Sequence, residues 1–159
     1  DRAVSDNPES VDLLYSRAMI GQKFGKLDIL ERDLRSIITK DPLNADALNA
    51  LGYTLADLTD RHEEALALIQ RALAIKPEEA AFIDSLGWVL YRLKNFEEAL
   101  TYLRQALRLF PNEEVAAHLG EVLWVTGKRQ EANKVWEKAL ELSPESEILK
   151  RVIKQFTSP

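Results

Sequence analysis

Cysteine is missing from the 159 residues, which excludes disulfide scaffolds, thiolate metal sites and thiol catalysis together. Histidine occurs only at His62 and His118, too sparsely for a histidine-rich metal site. A basic surplus is also missing. The formal net charge is −5, whereas a nucleic-acid binder normally carries an excess of Lys and Arg, so nucleic acid is not an expected partner. No apolar run approaches the roughly 18 uncharged residues of a membrane span, and direct membrane insertion by this segment is not expected. The opening residues, Asp1 to Pro8, form neither a signal peptide nor a lipidation box. What is present is 46% apolar and 30% charged residues, the balance of a globular chain rather than a disordered one.

The 6 prolines and 6 glycines are ordinary in number; their placement is periodic. Pro8, Pro42, Pro77, Pro111 and Pro144 are separated by 34, 35, 34 and 33 residues. The last four each close an amphipathic run, as in Ala72-Leu73-Ala74-Ile75-Lys76-Pro77. Gly52, Gly87 and Gly120 mark a second phase, and Ala65, Ala99 and Ala132 a third. Three markers therefore agree on a period of about 34, which is the length of a helix-turn-helix repeat. Small residues at the glycine and alanine positions let two antiparallel helices approach closely, and a larger side chain there would overpack them at about 1–3 kcal/mol. Proline ends each second helix because it lacks an N–H and clashes with the preceding turn. The acidic residues that follow it suit the positive end of the next helix. The pattern predicts helices at about 9–24 and 27–40, 44–58 and 61–75, 78–92 and 95–109, and 112–126 and 129–142.

The units carry a shared motif. The second reads Leu48-x2-Leu51-Gly52-x2-Leu55, Ala65-x3-Ile69, Pro77, with an extra residue in its turn, Leu58-Thr59-Asp60-Arg61, which is expected to bulge. The third reads Ile83-x2-Leu86-Gly87-x2-Leu90, Ala99-x3-Leu103, Pro111, and the fourth Ala116-x2-Leu119-Gly120-x2-Leu123, Ala132-x3-Trp136, Pro144. The first is degenerate, with Ala18 for the small Gly and Leu30 for the small Ala, while Leu14, Leu34 and Pro42 keep phase. This motif resembles the tetratricopeptide repeat. The resemblance implies an all-α solenoid, a right-handed superhelix of antiparallel helix pairs whose first helices line a concave groove. The expected organisation is a truncated preceding repeat at 1–8, repeats at 9–42, 43–77, 78–111 and 112–144, and a capping helix and tail at 145–159. In the last of these, Ile148, Leu149, Val152, Ile153 and Phe156 share one face, suited to covering the open end of a solenoid. Residues 1–8 match the last turns of a second helix, so the chain reads as the C-terminal portion of a longer array. That reading expects an adhesive edge around Leu13, Leu14 and Ala18, and hence a possible homo-oligomer.

No catalytic constellation is visible: there is no phosphate-binding glycine loop, nucleophile elbow or His-Glu-x-x-His pair. The paired carboxylates Glu63-Glu64, Glu97-Glu98 and Glu113-Glu114 stand at helix starts, where they answer the helix dipole. The chain is read as a non-enzyme without cofactor or metal, with both histidines at the surface or structurally satisfied. Its expected partner is a protein or peptide. Counting from the repeat marker, the groove would receive Tyr15 and Met19 from the first unit and Asn49, Tyr53 and Asp57 from the second. The third would add Asp84, Trp88, Tyr91 and Arg92, and the fourth Ala117, His118, Glu121 and Trp124. Rigid aromatics in a groove make typical binding hot spots, with Trp88 and Tyr91 as the expected apolar anchors. For Trp88 and Trp124 the alternative is packing as core; Trp136, at the large repeat position, is expected in the core. Members of the family that clamp a C-terminal carboxylate carry a basic cluster, whereas those positions here hold Tyr15, Met19, Asn49, Tyr53, Ala50, Ser85 and Asp84. Arg92 is the one groove cation.

Asn49-Ala50-Leu51-Gly52-Tyr53-Thr54-Leu55-Ala56-Asp57 and Ser85-Leu86-Gly87-Trp88-Val89-Leu90-Tyr91-Arg92 also resemble bacterial cell-envelope tetratricopeptide lipoproteins. That implies the periplasmic side of the outer membrane and service as an adaptor for a partner enzyme such as a protease. The alternative function is self-assembly through the groove or the open N-terminal edge.

Overall fold

A computed structural model describes residues 10–157. Every regular element among the described residues is helical: α1 (Val11–Lys23), α2 (Leu27–Lys40), α3 (Ala45–Leu58), α4 (His62–Ile75), α5 (Ala80–Arg92), α6 (Phe96–Leu109), α7 (Glu113–Val125), α8 (Arg129–Leu142) and α9 (Glu147–Thr157). The first eight agree with the sequence-predicted spans to within two residues. The segment read as a truncated repeat, residues 1–8, lies outside the described residues. The chain divides into two compact units, Asp1–Pro77 and Glu78–Pro159.

Local chemistry sets the helix ends. Asn44 and Asn112 accept the Ala47 and Val115 amides at 3.0 and 2.9 Å, satisfying donors that a helix start leaves without partners. The residues before the repeat prolines, Asp41, Lys76, Phe110 and Ser143, share one non-helical conformation with φ of −131, −128, −142 and −133° and ψ of 87, 80, 89 and 71°. A proline disfavours the helical region for the residue before it, so one residue type stops four helices in the same way.

Three of the four turns within helix pairs are also alike. After α1, α5 and α7 the chain enters the left-handed region at Gly25, Lys94 and Gly127, with φ of 67, 64 and 83°. The two amides beyond each helix return to its last carbonyls, for example Gly127 N–H to Trp124 and Lys128 N–H to Leu123, at 3.0 and 2.8 Å. This double bond pattern is the Schellman termination. The turn with the extra residue differs: Thr59 stays extended at φ −140°, and its hydroxyl donates to the Leu55 carbonyl at 2.6 Å.

In the first unit α1 packs on α2, α3 on α4, and α3 also on α2. Gly52 faces α4 so closely that a Cβ there would stand 2.7 Å from Ile69 Cγ1 and 3.0 Å from the Ala65 carbonyl. Leu14 and Ala18 are buried and Leu13 half-buried. The adhesive edge expected around them is therefore corrected: apolar surface on α1 lies instead at Ile20, with Phe24 just beyond its end. Burial removes side chains already packed in the unit from contact with a second copy.

In the second unit α5 packs on α6, and α7 on both α6 and α8. Gly87 meets Leu103 and Gly120 meets Trp136 across the two pairs. α9 lies mainly on α7, with Leu149 and Val152 buried. Trp136, 1% exposed, stacks between Trp124 and Phe156 at centroid separations of 5.8 and 6.4 Å.

Candidate functional site

The first helices of the second unit, α5 and α7, hold a two-tier arrangement of the expected groove residues. The inner tier is buried. His118 Nδ1 lies 2.9 and 3.1 Å from the two carboxylate oxygens of Asp84, and the pair is 6% and 5% exposed. A buried carboxylate needs such a partner, because desolvation without compensation is costly. The imidazole stacks on Trp88 at 4.3 Å between centroids and 25° between planes. Trp88, 6% exposed, is thus covered rather than displayed. Its expected role as a protruding anchor gives way to that of a wall supporting its neighbours, because His118 of the next repeat lies against its face.

The outer tier is half-buried and consists of Tyr91, Arg92, Glu121 and Trp124. Tyr91 tilts against Trp88 at 5.1 Å and against Phe96 at 6.1 Å, and its hydroxyl donates to Glu121 Oε1 at 3.0 Å. Burial, followed by the negative charge of Glu121 and the hydrogen bond to it, pushes the phenol up to about 12; Tyr91 therefore remains a neutral donor at physiological pH. Trp124 settles between the two readings open to it. One set of contacts is with Trp136, while the Arg129 guanidinium stands 5.2 Å from its ring centroid, a cation–π arrangement. A half-buried aromatic carrying a cation offers apolar area, charge and a planar donor fork together.

In the first unit, Tyr15 and Met19 on α1 and Asn49, Tyr53 and Asp57 on α3 are all half-buried. Burial raises the Tyr15 phenol, Asp46 adds to the rise and Lys76 opposes it. The Asn49 side-chain carbonyl is buried and has no hydrogen-bond partner among the described residues. Ala117 on α7 is buried. Of the two histidines, His118 is satisfied by Asp84, while His62 opens α4 half-buried.

Ion pairs within and between repeats were not foreseen in the sequence. Asp33, 1% exposed, accepts Arg17 Nε and Nη2 at 2.6 and 2.7 Å and Arg32 Nε at 3.0 Å. Burial raises its carboxyl, but the hydrogen bonds from Arg17 and Arg32 and their charges outweigh it and hold the carboxyl below the usual range. Glu31 and Arg35 on α2, Glu64 on α4 and Arg61 just before α4 form a closed network. A spacing signal existed: Glu31–Arg61, Asp46–Lys76 and Tyr91–Glu121 all pair at an offset of 30 residues. Among the described residues no group of three or more His, Cys, Asp or Glu is placed to hold a metal ion, and no helix is long and apolar enough to cross a membrane.

Two family profiles, both described as tetratricopeptide repeat, match residues 22–80 and 80–113. A TPR repeat-containing protein of Pseudomonas aeruginosa is 52% identical over 114 residues, 72% of this chain and 19% of that protein. Curated relatives are matched over 11% to 50% of their own lengths. The crystal structure of a thermophilic TPR protein from Thermus thermophilus superimposes with a TM-score of 0.83 at 26% identity, covering 96% of this chain and 84% of that one. An O-GlcNAc transferase of Thermobaculum terrenum superimposes at 0.75 with 25% identity, over 82% of this chain and 26% of that chain. The helix pairs, their proline stops, the small residues at their crossings and these matches agree: the chain belongs to the tetratricopeptide repeat family.

Proposed function

We propose that this segment is a non-catalytic docking scaffold that holds a peptide, loop or helix of a partner protein against its first helices. The family generally mediates protein–protein interaction. The observation that carries the finer reading is the two-tier arrangement in the second unit, where Trp88, held by the buried Asp84–His118 pair, supports Tyr91, Tyr91 engages Glu121, and Trp124 is held by Trp136 and Arg129. Ordering these aromatics before binding lowers the entropic cost of association. Tyr, Trp and Arg are also the side chains that most often dominate interface energetics. Service as an adaptor for an envelope enzyme such as a protease, and a periplasmic location, rest on the resemblance of the repeat wording alone.

Affinity capture from the source organism with full-length protein as bait tests the reading, comparing wild type with Tyr91→Ala and Arg92→Ala. Loss of a captured partner, with molecular mass by light scattering and far-UV dichroism unchanged, supports docking. A fall in mass would instead make self-assembly the function. Retention of the same partners by both variants would overturn the first-helix reading.

A further inference from the structure

The second helices of the second unit form a concavity. A groove of about 810 Å³ runs between α6 and α8, with α7 beneath it. Its floor is apolar, including Ala116 and Leu119 of α7 and Val135 and Ala139 of α8. The two alanines keep it open, because any longer side chain at either position would grow into it. Leu142, 69% exposed, stands at one end. Such a volume lies within the range of well-formed binding clefts, roughly 300–1,000 Å³.

The walls carry the more specific information. Arg104 and Arg108 are one helical turn apart on α6, and Lys134 and Lys138 one turn apart on α8. The result is two facing rows of cations with a repeat of about 6 Å along the groove. Two acids, Glu113 and Glu131, also line it, and Glu131 is engaged by Arg104 at 2.8 Å. Arg108, Lys134 and Lys138 have no hydrogen bond or ion pair among the described residues. A chain of net charge −5 therefore concentrates unpaired positive charge around an apolar trough.

We infer that this groove docks an acidic amphipathic helix of a partner protein, with its apolar stripe on the α7 floor and carboxylates on both flanks facing the α6 and α8 cations. Carboxylates four residues apart on a helix repeat at the same 6 Å as the rows. Helices pack with axes 8–10 Å apart, so a third helix can lie over α7 between the two walls. The α9 face is not this occupant: Lys150, Arg151 and Lys154 give it the wrong charge. The inference is independent of the first-helix docking surface, since none of Tyr91, Arg92 or Trp124 lines the groove.

The test uses the whole protein and a fluorescently labelled peptide of about four helical turns. Leu is placed at every third or fourth position, with Glu flanking the stripe. Anisotropy is expected to show binding that weakens as salt is raised. A scrambled peptide of the same composition and a Lys-for-Glu version should fail to bind. Combining Arg108→Glu, Lys134→Glu and Lys138→Glu, all exposed, should weaken binding at least about tenfold, equivalent to 1.4 kcal/mol, with unchanged dichroism. Tyr91→Ala should leave it unchanged. Equal binding of the scrambled peptide, indifference to charge reversal, or loss of binding in Tyr91→Ala would each overturn the inference. Binding of a fatty acid such as oleate without the peptide would also overturn it, assigning the groove to an anionic amphiphile.

Discussion

Replacing Gly120 with alanine adds one methyl group, and the surrounding structure makes its effect calculable. The new Cβ would land inside the indole of Trp136, overlapping Nε1 and Cε2 and lying 2.6 Å from Cδ1. The ring cannot swing aside, because Trp124 and Phe156 stack on it and it is almost wholly buried. Overpacking a core position costs about 1–3 kcal/mol and occasionally more. Alanine in a helix interior recovers about 1 kcal/mol relative to glycine. With a rigid obstacle the penalty lies at or beyond the top of its range, giving a net loss of about 2 kcal/mol or more.

The same substitution at Gly87 meets Leu103 Cγ at 2.6 Å, and at Gly52 meets Ile69 Cγ1 at 2.7 Å. Those aliphatic chains can change rotamer, so net losses of about 0–2 kcal/mol are expected. Urea unfolding followed by far-UV dichroism should rank the midpoints with Gly120→Ala lowest. Adding Trp136→Phe to Gly120→Ala should cost less than the two single changes summed, with a coupling of about 1 kcal/mol or more. A Gly120→Ala midpoint equal to wild type, or strict additivity with Trp136→Phe, would refute the steric account.

Lys94→Gly should raise stability by about 1 kcal/mol, because Lys94 occupies the left-handed turn position held elsewhere by Gly25 and Gly127; an unchanged urea midpoint would contradict this. The Asp33 carboxyl titrates below its unfolded value of about 3.9. Its ion pair should therefore contribute fully above that pH, and the contribution should vanish as pH falls through the folded value. The midpoint gap between wild type and Asp33→Asn should accordingly narrow on acidification below about pH 4, and a constant gap down to about pH 2 would dismiss the pair as a source of stability. His118→Leu should lose about 1–3 kcal/mol by leaving the buried Asp84 carboxylate without its partner. Adding Asp84→Leu should recover part of that loss, and additive midpoint shifts would argue against the coupling.

Helix positions were legible in the sequence because their signals are local. A proline constrains the residue before it, an asparagine caps the amides that follow, and small residues spaced by one repeat mark the crossings. These effects act within a few residues of the side chain that causes them, so Asp41, Lys76, Phe110 and Ser143 stop four helices alike. The expectation that Trp136 belongs in the core had the same basis, a large residue four positions after a small one.

Which side chains would face a partner depended on contacts between repeats. Trp88 satisfies the groove pattern, yet His118, thirty residues further along, stacks on it and takes it out of reach. Trp124 is claimed by Trp136 on α8 and by Arg129 at the start of that helix. Arg17 and Asp33 look like ordinary surface charges until α1 and α2 pack and bury the carboxylate. The basic groove likewise takes its walls from two helices separated in sequence by a third. Sequence alone determined the repeat, its helices and their stops, because backbone sterics and capping are short-range. Tertiary structure decided which aromatics are covered and where charge collects, because those properties belong to pairs of helices rather than to any one segment.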